Sequence, residues 1–136
     1  NDLSIFPRYE FGYGLSYTSF QYTNLQLSKK KINSHEQIAV TCAITNTGNY
    51  AGEETVQLYI RDKVGSIVRP VKELKDFKKI KLAAGETKTV SFLINREKLS
   101  FYNEQLQWVA EPGDFELMIG ASSRDIRLKS AFELVK

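Results

Sequence analysis

A two-residue alternation of apolar side chains limits what this chain can fold into more than any other feature does. Ile38, Val40, Cys42 and Ile44 are separated by Ala39, Thr41 and Ala43. A helix with 3.6 residues per turn cannot gather such positions on one face, whereas a strand places every second side chain on the same side. The beat returns at Val56, Leu58 and Ile60, at Ile80 and Leu82, and at Val90, Phe92 and Ile94. It returns again at Phe115, Leu117 and Ile119, then at Ile126, Leu128, Phe132 and Leu134. The alternating residues of the 38–44, 56–60, 90–94 and 115–119 runs, with Ile126 and Leu128, are the expected core, and their neighbours are expected to be solvated.

Turn chemistry separates the runs. Asn46, Gly48, Asn49 and Gly52 in "NTGNYAGEE" tolerate positive φ or cap a turn, so the strands on either side are expected to pair as a hairpin. Gly85 in "AAGET" marks a second expected hairpin, between the 80–82 and 90–94 runs. "NREKLSF", Asn95 to Phe101, suggests one helical turn, and Pro70, which cannot donate to a ladder, belongs in a loop or at a strand start. About seven short strands punctuated by Gly, Pro and Asn predict an all-β fold. The expected form is an antiparallel two-sheet sandwich of the immunoglobulin or fibronectin type III kind.

The strands begin near Phe20. Before them runs the irregular, aromatic lead-in "RYEFGYGLSYT", and seven of the sixteen aromatic residues fall within the first twenty-two positions. Such a segment calls for a cover: either another domain, or the sandwich itself if the segment folds back as a lid. The expected division is therefore a junction over 1–19 and a sandwich over 20–136. A chain of 136 residues suits one such domain without metal or disulfide staples. It opens at Asn1 without Met, so a mature or excised piece of a longer polypeptide is expected, with any targeting signal outside it.

The chemistry-bearing residues form no constellation. Glu53 and Glu54 stand at a strand start, Glu73 and Asp76 fall in a lysine-rich loop, and Asp114 and Glu116 point outward if Phe115 and Leu117 point in. A solvated face accounts for all of them, where a glycosidase needs two carboxylates facing each other across a cleft. His35 is the only histidine and lies in a polar loop, so neither a zinc site nor a triad is expected. Cys42, also alone, fits a small buried hydrophobe. Gly12 to Gly14 lack the lysine and helix of a phosphate loop. The net charge is only +3, with no stripe of basic residues interleaved with aromatics, so nucleic acid is not an expected partner. No apolar run reaches the length of a membrane span. Trp108 is expected to cap one edge of the core beside Leu106 or Val109; the alternative is a sugar-stacking platform with outward tyrosines such as Tyr59. No catalytic residue, cofactor or metal ligand is expected.

Four stretches, in order over nearly the whole chain, resemble one known family: "FGYGLSYTSFQY", "ITNTGNYAGEETVQLYI", "RPVKELKDFKKIKLAAGETKTVSF" and "WVAEPGDFELMIGASSRDIRL". They are similar to the C-terminal fibronectin type III-like domain of glycoside hydrolase family 3, the β-glucosidase and β-xylosidase group. The resemblance implies that the catalytic chemistry belongs to a (β/α)8 barrel and an α/β sandwich domain, both absent here, so no catalytic residue carries over. It also implies that the "FGYGLSYT" junction links those domains to the sandwich. Tyr9, Phe11, Gly12, Tyr13, Gly14, Leu15 and Tyr17 then become the expected interdomain contact. The implied role is a non-catalytic accessory module of a periplasmic or secreted enzyme, with weak carbohydrate contact possible. The alternatives are a carbohydrate-binding module and a free-standing immunoglobulin-like adhesion domain.

Overall fold

The strand β3 (Ile38–Asn46) alternates buried and half-buried positions along its whole length and forms the middle of a three-stranded sheet. It pairs antiparallel with β1 (Phe20–Leu27) and with β6 (Thr87–Ile94). These elements come from a computed structural model that describes residues 18–63 and 72–136. The facing sheet runs in the order β2 (Lys31–Ile32), β10 (Asp125–Leu134), β9 (Gly113–Ser122), β4 (Gly52–Asp62) and β5 (Glu73–Leu82). Its pairings are antiparallel except for β2, which lies parallel to the end of β10. Seven strands of eight or more residues therefore build the expected all-β sandwich, and shorter pieces trim its edges.

The alternating residues of the 38–44, 56–60, 90–94 and 115–119 runs lie in the core between the sheets, as expected, and Phe20, Tyr22, Ile32, Leu82, Phe132 and Leu134 join them. Ile38, Val40, Cys42 and Ile44 of β3 meet Val56, Leu58 and Ile60 of β4 and Phe115, Leu117 and Ile119 of β9 in one buried cluster. Phe115 and Phe132, directly paired on β9 and β10, stack their rings within the core with centroids 5.3 Å apart. The expected helical turn is α1 (Arg96–Leu99), where Asn95 caps the first turn by accepting from the Lys98 N–H at 3.2 Å. A two-residue hairpin follows, β7 (Phe101–Tyr102) against β8 (Trp108–Val109).

The structure corrects several expectations. Neither expected hairpin exists. β3 and β4 lie in different sheets, as do β5 and β6, so "NTGNYAGEE" and "AAGET" are arches that cross the sandwich. Hairpin and arch share turn residues and inward alternation, and they differ only in the hydrogen-bonding partners their strands find elsewhere. Glu73 and Asp76 stand in β5, not in a loop. Ile126 is only partly buried because register shifts on both sides of it break the beat, and Leu128 packs against the core from its margin. Tyr59 and Met118, on the outward alternation of β4 and β9, are buried at 7% and 4% exposure, and Ala39, Thr41 and Ala43 are half-buried rather than solvated. Trp108 is 48% exposed and does not cap the core. Pro70 and Tyr9, Phe11, Gly12, Tyr13, Gly14, Leu15 and Tyr17 lie outside the described residues.

Candidate interdomain interface

Where the described chain begins, at Thr18, four segments converge on one side chain. Asn46, the last residue of β3, is fully buried, and a buried amide needs its donors and acceptors matched. Its Nδ2 donates to the carbonyls of Tyr50 at 2.8 Å and Leu82 at 3.1 Å. Its Oδ1 accepts from the Gly48 N–H at 2.9 Å and from the hydroxyl of Thr18. The Asn46 backbone donates to Glu86 and accepts from Gly85, each at 2.9 Å, and Gly85 takes the left-handed φ of +79° that its turn requires. The first described residue is thus fastened to both arches. Beside it the Ser19 and Thr47 hydroxyls meet at 2.8 Å, and the Thr47 N–H donates to the Ser19 carbonyl at 2.9 Å. Gly48 makes the approach possible: a Cβ there would come within 2.8 Å of the Thr18 Cα.

A second set of bonds closes the seam between the sheets just above. Arg127 of β10 donates through Nη1 to the Phe20 carbonyl at 2.8 Å, and its guanidinium lies 5.0 Å from the centroid of the Tyr22 ring. The same guanidinium forks onto Asp125, with Nε to Oδ1 at 2.6 Å and Nη2 to Oδ2 at 2.9 Å. That hydrogen bond holds the Asp125 carboxyl below its ordinary pKa. Tyr22, pointing inward from β1, donates its hydroxyl to Glu54 Oε2 at 2.8 Å across the sandwich. Burial is the largest influence on both partners, raising the Glu54 carboxyl and the Tyr22 phenol above their ordinary values. Glu54 is therefore not on a solvated face: it shares the inward alternation of Val56 and Leu58.

Elsewhere the sequence-singled residues are dispersed. Glu116 is paired with Arg61 at 3.0 Å, His35 is exposed, and Cys42 is buried with its thiol pushed up to about 11 by desolvation. Among the described residues no cluster of His, Cys, Asp and Glu has metal-binding geometry, and no helix is long and apolar enough to cross a membrane. A cavity of about 20 Å³ between Ile60, Glu73, Lys98, Leu99, Ser100 and Phe115 has room for a single water. At the far end of the sandwich Tyr102 and Trp108 pack with centroids 4.9 Å apart and planes 57° apart. Asn103 Oδ1 fixes their hairpin by accepting from the backbone of Gln105 at 3.0 Å and Gln107 at 2.9 Å.

The sandwich and its latched end define an all-β module of the fibronectin type. The chain belongs to the fibronectin type III-like domain family, which matches residues 54–123. Its likeness to the C-terminal domain of glycoside hydrolase family 3 holds across curated relatives and solved structures. It is 47% identical over 131 residues to the β-glucosidase BoGH3A of Bacteroides ovatus, covering 96% of this chain and 18% of that enzyme. It is 43% identical over 129 residues to the periplasmic β-glucosidase of Salmonella typhimurium, covering 95% of this chain and 17% of the relative. The crystal structure of the Listeria innocua β-glucosidase in complex with glucose superposes with a TM-score of 0.84 at 43% identity, over 99% of this chain and 18% of that one. The chain thus spans under a fifth of the length of these proteins.

The hub at Asn46 carries no local sequence signal, because its parts lie in the "NTG" turn and the "FGYGLSYT" junction, twenty-eight positions apart at Thr18 and Asn46. Period-two alternation does put Glu54 on the inner face, but a carboxylate among core positions reads as solvated until Tyr22 is seen opposite.

Proposed function

We propose that this chain is the non-catalytic C-terminal module of a β-glucosidase-like glycoside hydrolase, where it stabilises and buttresses the catalytic body. The observation that carries this reading is its end-to-end likeness to under a fifth of several β-glucosidases. The latched Thr18 supports it mechanically, because a chain fixed at its point of entrance transmits the position of whatever precedes it. The partners in this reading are a (β/α)8 barrel and an α/β sandwich domain, and the lead-in residues Tyr9, Phe11, Gly12, Tyr13, Gly14, Leu15 and Tyr17 supply part of the contact. The name of the Salmonella relative supports a periplasmic or secreted setting. The tilted Tyr102–Trp108 pair and the buried Tyr59 offer no flat platform for a sugar ring, which favours buttressing over carbohydrate capture.

The test replaces Phe11 and Tyr13 with Ser, in the full-length polypeptide and in the 136-residue chain alone. Melting temperatures should fall by several degrees in the full-length protein, since an apolar patch of roughly 300 Å² is worth several kcal/mol before ordering costs. The isolated chain should barely change. Equal losses in both would mean that the lead-in serves the sandwich's own core.

A further inference from the structure

Beside the Asn46 hub the outer surface sinks into a depression of about 480 Å³ lined by Ala51, Gly52, Leu82 and Ala83, with Glu53, Lys81 and Glu86 on its walls. Tyr50, adjacent in the chain to this lining, is 64% exposed. We propose that this end of the sandwich is the seat by which the module docks on the folded domain preceding it in the same polypeptide, and that the depression receives an apolar side chain of that domain. The proposal rests on the accessory-module reading and adds to it the sandwich's own half of the interface.

Three observations converge here. First, the depression is preorganised. The Asn46 amide holds the Tyr50 and Leu82 carbonyls, so the two arches that wall the site are fixed relative to each other. The Glu86 carboxylate braces the second arch by accepting from the Ala83 N–H at 2.8 Å. A preorganised cleft loses less ordering entropy on binding. Second, the chain enters at this place. Thr18 bonds to the same Asn46, so the domain before it is tethered to this surface, and tethering raises its local concentration against the nearest face above all others. Third, the chemistry suits protein rather than sugar. Among the described residues the lining is Ala, Gly and Leu with both signs of charge around it and no aromatic ring. The exposed Tyr102, Leu106 and Trp108 hairpin lies at the opposite end of the strands, about 30 Å away at the usual rise per residue.

Cysteine labelling tests the seat. Ala83→Cys and, as a second probe, Tyr50→Cys report on the depression, and Tyr102→Cys reports on the far end. The native Cys42 stays silent because it is buried and its thiol is pushed up to about 11. Maleimide labelling, resolved by peptide mass spectrometry, is compared between the 136-residue chain and the full-length polypeptide. The Ala83→Cys and Tyr50→Cys sites should label at least about tenfold more slowly in the full-length protein, while Tyr102→Cys changes less than about twofold. Protection at Tyr102→Cys with none at Ala83→Cys or Tyr50→Cys would overturn the seat and leave the module reading standing. No protection at any position would overturn both.

Discussion

Glu54 carries an ionisable group on the inner face of a sandwich, and its position has a sign that can be measured. Burial raises its pKa in the folded state above the ordinary 4.5, in spite of the Tyr22 hydrogen bond and the nearby Arg127. A raised carboxyl contributes stability that is fully present below the unfolded value and is lost as pH rises through the folded one. Asp125, lowered by Arg127, acts in the opposite sense, and its contribution is lost as pH falls. Glu54→Gln keeps an acceptor for the Tyr22 hydroxyl and removes the charge. The stability of the Gln variant relative to the parent should therefore rise with pH from about 4 to about 7, measured as the difference in urea midpoint. A difference constant across that range would show that Glu54 is not held in a desolvating site.

At the scale of elements, the strands themselves were legible and their partners were not. Burial leaves a period-two mark on each run, so β3, β4, β6 and β9 and their core residues follow from the sequence. Pairing leaves no such mark. "NTGNYAGEE" and "AAGET" have the composition of hairpin turns, yet each carries the chain from one sheet to the other. The exposure of Trp108 escapes the sequence for a similar reason, since large apolar residues are usually buried and nothing local signals a two-residue hairpin that holds one half in water. The candidate interface was half legible: the aromatic lead-in stands out by composition, whereas the Asn46 hub depends on a bond between residues twenty-eight positions apart. Gly48 tests that hub. Gly48→Ala must displace the Thr18 backbone and should cost about 1 to 3 kcal/mol, read from chemical denaturation. An unchanged midpoint would mean that the latch contributes nothing to the sandwich.

At the scale of the whole molecule, the described residues form a two-sheet block whose first residue, Thr18, is bonded to the buried Asn46, and several of their carboxylates are held by ion pairs, a cross-sheet bond or backbone N–H groups. Such a block is suited to holding another domain in place. The measurement that bears most directly on this account is the melting temperature of the catalytic body with and without the module, taken alongside its turnover of an aryl β-glucoside. Removing residues 1–136 from the full-length polypeptide should lower the melting temperature of the remaining body, by on the order of 1 °C for each kcal/mol of lost interface in a body several times the size of this module. The 136-residue chain alone should show no turnover. A body that melts at the same temperature without the module, or turnover by the purified chain, would contradict the account.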